Sequence, residues 1–106
     1  MSTIDYSTIP LVKNEADKRF EIDVEGYKAF IDYKETSSQI WLIHTEADPA
    51  LAGKGAAKAV VEKTLAYVKE SSKKLLPFCP YVFAYIKKHP EWKAIVDEKF
   101  KGYDQL

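Results

Sequence analysis

The run Gln39-Ile40-Trp41-Leu42-Ile43-His44-Thr45-Glu46-Ala47-Asp48-Pro49-Ala50-Leu51-Ala52-Gly53-Lys54-Gly55-Ala56-Ala57-Lys58-Ala59-Val60-Val61 changes its period midway. Gln39 to His44 is rich in β-branched and aromatic residues, which suit a pleated, half-buried surface. After Pro49 the apolar residues Ala57, Val60, Val61, Leu65 and Val68 recur at helical spacing and give one apolar face from Gly55 to about Glu70. Ser71-Ser72 closes that helix. A strand therefore passes through a small-residue loop into an amphipathic helix.

Toward the N-terminus, Arg19 to Val24 alternates polar and apolar residues, as a half-buried strand does. Glu25-Gly26 is a tight-turn signal. Tyr27 to Tyr33 resumes the alternation, with Tyr27, Ala29, Ile31 and Tyr33 on one face, and Glu35 to Ser38 is a second polar turn. These runs and Gln39 to His44 predict an antiparallel meander of three strands. Leu11 to Asn14 is a short apolar piece, and residues 5–18 as a whole read as a loose lead-in.

Toward the C-terminus, Lys74 to Cys79 reads as a short buried strand. Pro80 suits the first position of a helix through Ile86, a second short helix opens at Pro90, and residues 97–106 read as a frayed tail. A helical crossover makes the strands on either side of it parallel. The predicted fold class is α/β (α+β): a single domain over 1–106 with a mixed sheet, an antiparallel meander followed by helix, parallel strand and helices.

The chain has 106 residues, room for one domain, and 46% of them are hydrophobic, which fits a globular protein. The charges cancel at 16 basic and 16 acidic residues, and Arg19 is the only arginine, so neither a general pull on nucleic acid nor bidentate phosphate recognition is expected. The single cysteine, Cys79, cannot form an internal disulfide, and with two distant histidines it makes no zinc set. Met1 to Asp5 carries no basic or apolar targeting signature, and no run reaches the length of a membrane span. The expectation is a cytoplasmic protein with no nucleic-acid or membrane partner and no metal; the oligomeric state is not readable.

The loop from Thr45 to Ala57 holds the informative chemistry. Gly53, Gly55, Ala56 and Ala57 let an anion approach the backbone, and the first N–H groups of a helix have no internal partner and sit at the positive end of its dipole. Lys54 and Lys58, spaced to share a face at the helix start, could neutralise phosphates. A plain helix start with two solvated lysines has the same spacing. The loop is not a P-loop, which requires Gly-x-x-x-x-Gly-Lys-Ser/Thr, and it is not a dinucleotide fingerprint, which follows the first strand of a βαβ unit.

Other residues carry chemistry by type. Cys79 stands at the end of the parallel strand and just before a helix, where a thiol is a candidate nucleophile; a free cysteine is equally a small buried hydrophobe. His44 and Glu46 alternate at the end of a strand, share a face, and either suits a general base; each also fits an ordinary surface role. His89 before Pro90 reads as a helix end, and Trp41 and Trp92 as core anchors.

Gly53-Lys54-Gly55-Ala56-Ala57 resembles the acyl-CoA loop of the GNAT N-acetyltransferase superfamily, Arg/Gln-x-x-Gly-x-Gly/Ala, with Gly55 at the central glycine and Ala57 at the last position. Ala52 stands where Arg or Gln is usual. His44-Thr45-Glu46, Cys79-Pro80-Tyr81-Val82 and His89-Pro90 resemble, in order, the motifs of a subfamily of short stand-alone GNAT-like proteins, over roughly Phe20 to Val96. The resemblance implies an acetyl-CoA-dependent N-acetyltransferase acting on an unidentified amine acceptor, with coenzyme A held at Gly53, Lys54, Gly55, Ala56, Ala57 and Lys58. It implies a tyrosine, Tyr81 or Tyr85, that protonates the departing thiolate, beside the catalytic candidates Cys79, Glu46 and His44. The alternative is a non-catalytic acyl-CoA-binding or interaction module, because the helices that shape the acceptor site in larger members are absent.

Overall fold

A computed structural model of the chain describes residues 4–106; residues 1–3, part of the stretch read for targeting signals, lie outside the described residues. The elements in order are β1 (Val12–Asn14), β2 (Arg19–Val24), β3 (Tyr27–Glu35), β4 (Gln39–Ala47), α1 (Ala56–Ser71), β5 (Lys74–Pro77) and α2 (Pro80–Lys88), with short 3-10 turns between and around them. They form a five-stranded sheet in the order β1-β2-β3-β4-β5. The first four strands are antiparallel neighbours, and β5 pairs parallel with β4. The mixed α/β sheet is the fold class read from the sequence. Among the described residues no helix is long and apolar enough to cross a membrane.

Period-two alternation explains the layering. Phe20, Ile22 and Val24 of β2, Ala29, Ile31 and Tyr33 of β3, and Ile40 and Leu42 of β4 all turn to one face. There they meet Val60, Val61, Leu65 and Val68 of α1 and Val82 and Ile86 of α2 in one core. Each fully buried Val, Leu, Ile or Phe among them contributes roughly 1.5–3 kcal/mol of transfer free energy. Thr64 is the buried polar residue on α1, and its hydroxyl donates to the Val60 carbonyl at 2.6 Å. The opposite sheet face has no helix of this set on it and carries Asp23, Lys28, Lys34, His44 and Glu46 exposed. Tyr27, expected on the apolar face, is exposed at the start of β3.

The lead-in is not loose. Val12 to Asn14 adds an edge strand, and Tyr6–Thr8 is a 3-10 turn whose Asp5 cap accepts from the Ser7 N–H at 3.0 Å. The tail is not frayed either. Asp97 N–H donates to the Leu75 carbonyl at 2.9 Å, Gln39 donates to the Asp97 carboxylate at 2.8 Å, and Phe100 packs edge-on to Phe78 at 5.4 Å between ring centroids. Aromatic residues give this short segment enough apolar area to dock, a source of order that helical or strand periodicity does not register. The turn at Pro90–Ile95 is 3-10. Of the two tryptophans, Trp92 packs against the core, whereas Trp41 lies edge-on to Phe78 outside it.

A half-buried ion cluster joins the edge of the sheet to the end of α1. Glu35 accepts from Lys13 at 2.6 Å and from Lys73 at 2.5 Å. These two hydrogen bonds hold the Glu35 carboxyl below its ordinary value, with burial opposing them. The folded carboxyl thus binds a proton less readily than the unfolded one, so its stabilisation is present above the ordinary pKa and is lost as pH falls below it. Glu35→Gln is expected to lower stability by on the order of 1–2 kcal/mol at neutral pH. Denaturant melts should show this difference shrinking as the pH is taken down through about 4.

Candidate functional site

The sheet forks between β4 and β5. The two strands pair only from Gln39↔Lys74 to Leu42↔Pro77, after which β4 continues through Ile43–Ala47 without β5, paired with β3 alone. That overrun is roughly 17 Å of extended chain at about 3.3 Å per residue. The fork begins beside a β-bulge: β3 and β4 pair Asp32 with His44 but Tyr33 with Leu42, leaving Ile43 as the extra residue. The Cys79 N–H donates to the Leu42 carbonyl at 2.8 Å and closes the base of the fork.

The glycine loop lies at the far end of that overrun. Asp48 caps a 3-10 turn at Pro49–Leu51, and Gly53 and Gly55 both have positive φ, 73° and 78°. Gly55 is the N-cap of α1 in the left-handed conformation, and the first helical hydrogen bond runs from Ala59 N–H to the Gly55 carbonyl. The N–H groups of Ala56, Ala57 and Lys58 therefore head the helix without helical acceptors. Because the helix starts after Gly55, Lys54 lies in the preceding turn, and the expected shared helical face of Lys54 and Lys58 is not formed. The loop and Cys79 leave their strands at one edge of the sheet, but the overrun of β4 separates them.

Between α1 and α2 runs an open groove of about 290 Å³ lined by Lys58, Tyr81, Ala84, Tyr85, Lys88 and His89. It joins the head of α1 to the turn that follows Cys79. A second groove of about 380 Å³, lined among others by Tyr6, Gly55, Lys58 and Lys63, lies on the other side of Lys58.

Cys79 is 2% exposed, caps α2, and its Sγ lies 3.2 Å from the Thr45 hydroxyl. Thr45 pairs with the buried Ile31, so it faces the core side; its neighbours His44 and Glu46 are exposed on the other face. The structure thus brings Lys58, Tyr81 and Tyr85 together, sets Cys79 beside Thr45 at the fork, and keeps His44 and Glu46 apart from the thiol. Both tyrosines titrate above the ordinary phenol value. Tyr81 is raised by burial and then by the neighbouring Cys79 and Glu62. Tyr85 is pushed up to about 12 by burial and then by Glu62, and its ring rests against His89 at 4.3 Å.

Three residues at these places went unread in the sequence. Glu62 follows Lys58 at helical spacing and was accessible to that pattern. Thr45 lies within His44-Thr45-Glu46, and its residue type alone suggests no role. Tyr6 gave no local signal, since its contact is with Lys54, 48 residues away.

A family model described as GCN5-related N-acetyl-transferase matches residues 19–95. No curated protein matches the chain. The matched span runs from the start of β2 through the fork, the glycine loop and α2 to the turn before Val96. With most of its length under that model, and with the mixed sheet read from its own residues, the chain belongs to the GCN5-related N-acetyltransferase family.

Proposed function

We propose that the protein is an acetyl-CoA-dependent N-acetyltransferase that transfers an acetyl group to an amine, with its phosphate site at Gly53–Lys58 and its thioester site at the fork. The observation that carries this reading is the groove between α1 and α2, which leads from Lys58 at the head of α1 to Tyr81 in the first turn of α2. The residues fit the donor. Backbone N–H groups and Lys58 stand at one end for the diphosphate and the Tyr81 phenol at the other for the thioester, with the buried Cys79 thiol two residues before that phenol in the chain. A long, thin pantetheine arm suits a strand overrun that separates the two ends.

Acetyl-CoA supplies the acetyl group as a thioester. Cys79 attacks the thioester carbon and the carbon–sulfur bond to CoA breaks. The departing thiolate takes a proton from Tyr81, which recovers one from the Cys79 thiol. Glu46 or His44, on the exposed face of β4 and apart from the thiol, deprotonates the ammonium before the amine enters the fork. The free amine then displaces Cys79 from the acetyl carbon, and its remaining extra proton returns to the sulfur. Tyr81 suits the acid role better than Tyr85. It is nearer Cys79 in the chain, whereas burial and Glu62 push Tyr85 up to about 12, which makes it a poorer proton donor to a thiolate. Tyr85 then serves as a hydrogen-bond donor along the groove.

Incubation with acetyl-CoA and no amine, followed by mass spectrometry, should place one acetyl group on Cys79. A second reading, a non-catalytic acyl-CoA-binding module, is favoured by the 2% exposure of Cys79 and by Ala52 at the usual Arg or Gln position. Clean binding of CoA, with no adduct and no CoA release across a panel of amines, would select it.

Lys58 lines both grooves and is exposed, so its contribution to binding should depend on salt. Lys58→Ala is expected to weaken CoA binding by on the order of 1 kcal/mol in low salt. Lys54→Ala, from the turn outside the helix, should cost less. Calorimetric titrations at low salt and at about 0.5 M salt check this. A wild-type affinity indifferent to salt would leave both lysines as solvated surface.

A further inference from the structure

The geometry points to Tyr6 as a positioning residue for the phosphate loop: its hydroxyl holds the peptide between Lys54 and Gly55 in an orientation that turns the Gly55 N–H away from Tyr6. The inference rests on the reading of Gly53–Lys58 as the phosphate site.

Four observations carry it. The Tyr6 hydroxyl donates to the Lys54 carbonyl at 2.6 Å. That carbonyl and the Gly55 N–H belong to one planar trans peptide, in which C=O and N–H point in opposite directions. Drawing the carbonyl toward Tyr6 therefore aims the N–H away from it, beside the free N–H groups that open α1. Gly55 on one side of this peptide and Gly53 one residue before it, at φ of 78° and 73°, give the loop backbone conformational freedom, so an outside tether has something to fix. Finally, the tether is itself anchored. The Asp5 carboxylate accepts from the Ser7 N–H at 3.0 Å and the Ile9 N–H donates to the Tyr6 carbonyl at 3.1 Å, while Ile4, Tyr6, Ile9 and Leu11 pack against the core. The Tyr6 ring also lies where a Cβ on Gly55 would meet it, at 3.9 Å, so the segment covers one flank of the loop. Burial, then the charge of Glu25, raises the Tyr6 phenol above its ordinary value, which keeps it a donor through the neutral range.

Tyr6→Phe keeps the ring and removes only the hydroxyl. The test titrates wild type, Tyr6→Phe and Lys58→Ala with CoA and with pantetheine, which has no phosphate, the weaker binding being followed by amide NMR shifts. The expected result for Tyr6→Phe is a loss of CoA affinity of about threefold to tenfold, the range that one neutral hydrogen bond commands. Affinity for pantetheine should stay at the wild-type value, and the Gly55 amide of the free protein should shift and exchange faster. A CoA affinity within about twofold of wild type, while Lys58→Ala weakens it, would overturn the role of Tyr6 and leave the loop reading intact. An equal loss for CoA and pantetheine would also overturn it, reducing the hydroxyl to general support of the fold. CoA binding that neither substitution changes would remove the loop reading itself, and the tether's purpose with it.

Discussion

Gly55→Val is expected to lower the affinity for CoA at least about tenfold, a loss of roughly 1.4 kcal/mol or more. Two effects converge on this position. Gly55 sits at φ 78°, where a β-branched residue is strained, so the backbone must hold a costly conformation or rotate out of it. Rotation moves the very peptide whose N–H opens the helix. If the conformation is held, the valine methyls stand at the head of α1 and keep a phosphate from the backbone. Space alone is not the obstacle within the protein, since a Cβ there meets only the Tyr6 ring at an ordinary 3.9 Å. Folding should therefore survive at a cost of about 1–2 kcal/mol, and calorimetry on the folded variant can be read as binding. Gly55→Ala carries the strain with less shielding and should fall between. An unchanged dissociation constant in folded Gly55→Val would move the phosphate site elsewhere.

How much of this was legible follows from where the information lies. β2, β3 and β4 were readable because each buries one face, and alternation is then forced at Phe20, Ile22, Ala29, Ile31 and Ile40. The α1 face was readable for the same reason at Val60, Val61, Leu65 and Val68. The parallel pairing of β5 followed from connectivity, because a helix separates it from β4. The bulge at Ile43 was not readable, since it is a relation between two strands and leaves no mark on one. β1 spans only Val12–Asn14, too short for a period to show.

The site divides along the same line. Gly55 and Lys58 are proposed from small residues and charge at a helix start, features local to the chain. Lys54 was assigned to the helix face by counting, and the left-handed Gly55 breaks that count one residue before the helix begins. The opposition of Thr45 to His44 and Glu46 was implicit in strand alternation. What alternation could not say is that the Thr45 side faces the thiol, because the partner residues Ile31 and Cys79 are distant in sequence.

Cys79→Ala is expected to reduce acetyl transfer by about 100-fold or more, close to 2.7 kcal/mol of lost transition-state stabilisation. The substitution is suited to the question because it disturbs little else. The Cys79 backbone N–H still donates to Leu42, and α2 takes no side-chain hydrogen bond from its cap. Loss of one buried sulfur should cost on the order of 1 kcal/mol of stability. Transfer is read as CoA released from acetyl-CoA across a panel of amines, alongside a binding titration, since the covalent route requires the rate to fall while CoA affinity holds. Thr45→Val adds a second reading of the same contact. The Thr45 hydroxyl lies 3.2 Å from the sulfur, so its loss should slow acetylation of Cys79 without preventing it. If Cys79→Ala keeps most of the wild-type rate, the amine attacks the thioester directly. The thiol then returns to the packing role its burial already describes, and Glu46 and His44 on the exposed face become the residues to substitute next.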